Sequence, residues 1–118
     1  MRGKHWIAGW AVFLLMTLAA GAQDRAEWIR THYTKHEYKI PMRDGVKLFT
    51  AVYTPNDRSK TYPFLLTRTP YSAAPYGADR YRDYLGPRAM EEEGYIFVFQ
   101  DVRGRYMSEG QFVHMRPH

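Results

Sequence analysis

Residues 46–53 alternate strictly: Val46, Leu48, Thr50 and Val52 fall on one face, Lys47, Phe49, Ala51 and Tyr53 on the other. A period of two is the signature of a β-strand. Residues 36–42 alternate more weakly around Tyr38 and Ile40 and predict a partner strand. Arg43-Asp44-Gly45 lies between them, and Asp-Gly tolerates the positive φ of a tight turn. The two segments predict a β-hairpin. Before it, residues 23–31 form a polar lead-in with a turn of helix around Trp28 and Ile29. After it, residues 54–61 read as a polar loop through Pro55, Asn56 and Asp57. A third strand follows at 62–67, apolar through Phe64, Leu65 and Leu66, and Thr69-Pro70-Tyr71 breaks it. Residues 72–86 read as a long loop of Tyr, Gly and Pro. Residues 87–93 predict a helix, with Pro87 suited to its first turn and Gly94 to its stop. The fourth strand, 95–100, has consecutive rather than alternating apolar residues, as in a strand covered on both faces.

A hairpin followed by strand–helix–strand predicts an α/β class, with a parallel pair joined by a right-handed crossover. That order is how an α/β-hydrolase sheet begins. The expected fold is therefore the N-terminal part of such a sheet, incomplete in this chain. The fourth strand would be central in it, and the sequence offers nothing to cover that strand's other side. The chain is expected to be the front part of a larger enzyme.

The first residues carry a targeting pattern. Arg2 and Lys4 precede an apolar run over 6–20, and Ala20-Gly21-Ala22 supplies small residues for a signal peptidase. The run is shorter than the roughly 20 residues of a membrane span. A signal peptide over 1–22 is expected, cut after Ala22, with the hydrolase domain over 23–118 and no stable membrane anchor. The expected location is the bacterial periplasm or the exterior. Composition changes this picture little. The chain has 118 residues, 45% hydrophobic and 16% aromatic, which suits one folded domain. A formal charge of +5 is scattered, with no run of five like charges, and export also argues against a nucleic-acid partner. There is no cysteine, which excludes disulfides and thiol chemistry in this sequence.

Few residues invite a chemical role. Tyr71 follows the third strand, in the loop that gives α/β-hydrolases one oxyanion donor. Its phenol could serve there; from spacing alone, the preferred reading is a packing aromatic among ten tyrosines. Asp101 and Arg103 lie at the carboxyl end of the fourth strand, where open α/β sheets place their sites. Asp101 reads as a general base or, preferably, as a structural carboxylate near the site, paired with Arg103 or Arg105 or capping a turn. Ser108 lacks the glycine two residues before it that a nucleophile elbow needs, since Tyr106 stands there, so it reads as a loop residue holding backbone groups. His32 and His36 have a zinc-like spacing but sit among Thr31, Tyr33 and Thr34, with no third ligand. His114 and His118 come too early to be a triad histidine. No metal and no cofactor is expected.

Three phrases carry a resemblance. They are Ile40-Pro41-Met42-Arg43-Asp44-Gly45-Val46-Lys47-Leu48, Leu66-Thr67-Arg68-Thr69-Pro70-Tyr71, and the stretch from Gly94 through Gln100-Asp101-Val102-Arg103-Gly104-Arg105 to Ser108-Glu109-Gly110. In this order they resemble the CocE/NonD hydrolases, related to the X-Pro dipeptidyl-peptidases. Within that group they most resemble α-amino acid ester hydrolases and glutaryl-7-aminocephalosporanic acid acylases. The resemblance implies an α/β-hydrolase domain, a helical cap, a C-terminal jelly roll, and a Ser-His-Asp triad working through an acyl-enzyme. It implies small esters, amides or short peptides as substrates, and it places the family's oxyanion tyrosine at Tyr71. The Gly-x-Ser-Tyr-x-Gly nucleophile motif is absent from this sequence, so the 118 residues by themselves are expected to be inactive. The rival expectation is a short secreted β-rich binding module without enzymatic activity. Neither reading specifies an oligomeric state.

Overall fold

The computed structural model describes residues 24–113. The expected signal peptide, His114 and His118 lie outside these residues. A helix, α1, covers 24–32. It is followed by β1 (Tyr33–Pro41), β2 (Lys47–Pro55), β3 (Phe64–Thr69), α2 (Arg88–Glu93) and β4 (Ile96–Asp101). No helix among the described residues is long and apolar enough to cross a membrane.

The predicted hairpin forms. β1 and β2 pair antiparallel from Tyr33 opposite Pro55 to Pro41 opposite Lys47. Gly45 takes φ 86° at the turn, and its N–H donates to the Met42 carbonyl at 2.9 Å. β3 and β4 form the predicted parallel pair, with Phe64 opposite Ile96 and Thr69 opposite Asp101.

Among the described residues the strands make one four-stranded sheet in the order β1-β2-β4-β3. This corrects the expectation that β4 lacks a neighbour. β2 runs antiparallel along β4, from Thr50 opposite Gln100 to Tyr53 opposite Phe97, so β4 is held on both sides. The connection from β3 to β4 is long enough to set β4 between the hairpin and β3. The edges of the sheet are β1 and β3, and on β3 Phe64, Leu65 and Leu66 are 66%, 38% and 45% exposed.

One face of the sheet carries the core. Phe49, Ala51 and Tyr53 of β2 and Phe97 and Phe99 of β4 occupy alternate positions and pack with Ile29 of α1, Tyr33, Ala73 and Leu85. Tyr53 meets Phe99 edge-on, with ring centroids 5.9 Å apart. Much of what covers this face is the irregular segment between β3 and α2. Its long course needs pins, and buried charged side chains supply them. Glu91 of α2 accepts the Leu85 and Gly86 N–H groups on Oε1 (2.8 and 3.2 Å) and the Arg25 guanidinium on Oε2 (2.7 Å). Lys35 of β1 donates through Nζ to the carbonyls of Pro75, Gly77 and Arg80 at 2.6, 2.9 and 2.8 Å. The opposite face carries a polar row, in which Arg68 Nε donates to Gln100 Oε1 and Gln100 Nε2 donates to Thr50 Oγ1, each at 2.9 Å.

Candidate active site

The parallel register brings the carboxyl ends of β3 and β4 side by side, and two loops leave from there. Val102 N–H donates to the Thr69 carbonyl at 3.1 Å, which continues the pairing one step past the strands. Arg105 Nε then donates to the Pro70 carbonyl at 3.1 Å, tying the loop after β4 to the residue before Tyr71. Tyr71 itself is 81% exposed, while its N–H is held by Thr69 Oγ1 at 2.9 Å.

Asp101 is fully buried beneath these loops. Its Oδ1 accepts the Ala73 N–H at 2.6 Å, and its Oδ2 accepts the Tyr76 hydroxyl at 2.8 Å and the Met107 N–H at 3.2 Å. The pairing with Arg103 or Arg105 considered from the sequence does not form. The carboxylate is saturated by donors of the two loops, and Arg103 reaches the hairpin turn instead, bonding Asp44 at 2.7 and 3.2 Å. The Arg103 bonds are the main cause holding the Asp44 carboxyl below its usual value, with the Val46 N–H adding to them. Asp101 thus fastens both loops, which suits a structural carboxylate better than a base.

Ser108 Oγ donates to the Asp101 carbonyl at 2.6 Å and accepts the Phe49 N–H at 2.8 Å. It holds two backbone groups and is not presented as a nucleophile. Gly104 has φ 72°, and a Cβ there would stand 2.0 Å from the Phe112 amide nitrogen, so the loop closes only with glycine.

The two histidines do not share a helical face. His32 closes α1, stacked on Trp28 at 4.2 Å with Nδ1 2.7 Å from the Trp28 carbonyl, whereas His36 lies on β1 beside Tyr38. Among the described residues no group of three or more His, Cys, Asp or Glu could hold a metal ion.

Sequence reasoning overlooked Tyr76, Lys35 and Glu37. Tyr76 OH lies 2.9 Å from Ser72 Oγ as well as bonding Asp101. Burial is the largest influence on that hydroxyl and raises its pKa; the Ser72 contact lowers it and Asp101 raises it. Glu37 accepts the Gly77 N–H at 2.8 Å and lies 3.3 Å from the Lys35 ammonium. A signal existed, because period two places residues 35 and 37 on the face of the buried Tyr33.

The profile of the X-Pro dipeptidyl-peptidase (S15) family matches residues 44–118, which include both loops of the site. The chain belongs to this family. Cocaine esterase of Rhodococcus sp. (strain MB1 Bresler) is 40% identical over 76 residues, 63% of this chain and 12% of that protein. Among solved structures, an α-amino acid ester hydrolase matches with a TM-score of 0.62 and 45% identity, over 74% of this chain and 15% of its own. An aminopeptidase from a marine sediment Thaumarchaeota archaeon matches with a TM-score of 0.55 and 37% identity, over 70% of this chain and 14% of its own. The fold is accordingly that of the α/β-hydrolases, as the order of elements predicted. This S15 chain spans about an eighth to a seventh of the length of these relatives.

Proposed function

We propose that these residues supply the oxyanion side of an exported serine hydrolase that cleaves small esters or amides through an acyl-enzyme. The observation that carries the reading is the presentation of Tyr71. Its side chain is exposed at the carboxyl end of β3 while its backbone is tied to Thr69 and, through Pro70, to Arg105. The relatives named as esterase, ester hydrolase and aminopeptidase support a carbonyl substrate.

The chemistry follows from where charge develops. Attack on an acyl carbon moves an electron pair onto the carbonyl oxygen. A phenolic O–H aimed at that oxygen stabilises the developing anion more than the neutral substrate, and only such a difference accelerates the step. The nucleophile, its base and the orienting acid come from outside these 118 residues, since the nucleophile motif is absent from the sequence. Asp101 and Arg103 act through structure: Asp101 fastens the loops around Tyr71, and Arg103 ties the loop after β4 to Asp44 of the hairpin turn. No metal or cofactor is needed for such a reaction. The leader over 1–22 directs the protein to the periplasm or beyond.

The test uses the gene product that carries this sequence. Tyr71→Phe is expected to lower kcat on an ester substrate by about tenfold to a thousandfold, the scale of one lost oxyanion donor, with KM little changed. An unchanged kcat removes Tyr71 from the mechanism. A fluorophosphonate probe is expected to label a serine in that product, and failure to label removes the serine mechanism. N-terminal sequencing of the exported protein is expected to begin at Gln23.

A further inference from the structure

Ser72, directly after Tyr71, has φ 90°, a left-handed conformation that residues with a Cβ rarely adopt. Such a backbone persists only where its surroundings over-determine it. Around Ser72 they do. Ala74 N–H donates to Ser72 Oγ at 3.1 Å, and Ser72 Oγ lies 2.9 Å from Tyr76 OH. Tyr76 OH in turn donates to Asp101 Oδ2 at 2.8 Å. A carboxylate only accepts, so the Tyr76 proton points to Asp101 and Ser72 must donate to the Tyr76 oxygen. The direction of the whole chain is thereby settled: Ala74 to Ser72 to Tyr76 to Asp101. The other Asp101 oxygen holds the Ala73 N–H at 2.6 Å, on the far side of the same strained residue. The Tyr76 ring is itself seated edge-on against Phe49, 5.0 Å between centroids.

From this geometry we infer that Tyr76 is a positioning residue: seated on Asp101, it holds Ser72 in its left-handed turn and so aims the Tyr71 hydroxyl. The inference rests on the oxyanion reading of Tyr71. Tyr76 touches no reacting atom, so its effect must pass through Tyr71, and that makes it separable from a merely structural role.

The experiment is a double-mutant cycle in the full-length gene product, read as kcat and KM on an ester. Tyr76→Phe keeps the ring against Phe49 and removes only the hydroxyl. It is expected to lower kcat about tenfold with KM within about twofold. In a Tyr71→Phe background the same change is expected to alter kcat less than about twofold, because the group it aims is gone. Adding Ser72→Gly to Tyr76→Phe is expected to recover about threefold of the loss, since glycine adopts this φ without strain. Ser72→Ala, which leaves the aromatic packing untouched, is expected to behave like Tyr76→Phe and serves if that variant does not fold. Equal losses from Tyr76→Phe in both backgrounds overturn the inference, as does full activity of Tyr76→Phe and Ser72→Ala where Tyr71→Phe is impaired. Full activity of Tyr71→Phe overturns the oxyanion reading and this inference with it.

Discussion

The ammonium of Lys35 lies 2.6 Å from the Pro75 carbonyl oxygen, with the lysine side chain wholly withdrawn from solvent. Two further carbonyls, of Gly77 and Arg80, take its remaining protons. One side chain on β1 thus holds three points of an irregular segment that contributes Tyr76, Ala73 and Leu85 to the site and the core. A buried lysine is tolerable when each of its donors is used.

Replacing it tests that dependence. Lys35→Met preserves length and apolar bulk but leaves three carbonyls without their donor. Stability is expected to fall by about 3 kcal/mol, the scale of a broken buried charged cluster. Urea unfolding checks it, with the slope unchanged if only stability moves. A loss below about 1 kcal/mol would mean that water replaces the amine and that the pin contributes little.

The buried tyrosines predict an alkaline limit. Burial pushes the hydroxyls of Tyr33 and Tyr53 up from 10.0 to about 12. Between those values the unfolded chain releases protons that the folded protein keeps. Their stabilisation is complete below pH 10 and is lost as pH rises through 12. Lys35, lowered mainly by burial, acts in the opposite sense, its contribution rising with pH below 10.5. The tyrosine effect is therefore read as a difference. Denaturation from pH 9 to pH 12 is expected to show a steeper loss in the wild type than in Tyr53→Phe, and parallel curves would discount the tyrosine.

Glycine at two turns separates conformational from steric cost. Gly45 has φ 86° with nothing within 4 Å of a Cβ, whereas at Gly104, φ 72°, a Cβ would meet the Phe112 amide nitrogen at 2.0 Å. Gly45→Ala is expected to cost about 1–2 kcal/mol from backbone strain alone. Gly104→Ala adds a clash with backbone that cannot rotate away, and is expected to cost about 3 kcal/mol or more. Thermal unfolding of the two variants side by side measures the gap, and equal losses would contradict the close approach at Gly104.

What the sequence disclosed was mostly local. The hairpin was legible because alternation and Asp44-Gly45 lie within one short stretch. The strand–helix–strand unit was legible because Pro87 and Gly94 bracket a short helix. The neighbour of β4 was not, since pairing with β2 joins residues such as Thr50 and Gln100 that no short window contains. The strand ends also moved. β1 begins at Tyr33 rather than residue 36, because its first residues pair with Pro55 and Thr54. At the site, Tyr71 stood out through its likeness to a family motif, whereas Tyr76 looked like any loop aromatic until Asp101 was seen beneath it. Lys35 was overlooked because the predicted strand began at residue 36; the period-two match with Tyr33 was the sign that it faces inward.

The exposed edge gives the last prediction. β3 pairs with β4 on one side only among the described residues, and Phe64, Leu65 and Leu66 remain 66%, 38% and 45% exposed. Parallel strands are normally covered, and an apolar edge offers its free N–H and C=O groups to any passing strand. Residues 23–118 expressed by themselves are therefore expected to self-associate as their concentration rises. Lysine is a common device for blunting such edges. Leu66→Lys places a charge on the open strand while leaving Tyr53, Phe97 and Phe99 untouched on the core face. It is expected to shift the chain towards monomer in sedimentation velocity without changing its near-ultraviolet circular dichroism. A wild-type chain that stays monomeric at the highest concentration, or a variant that associates equally, would show that the β3 edge is not the sticky surface.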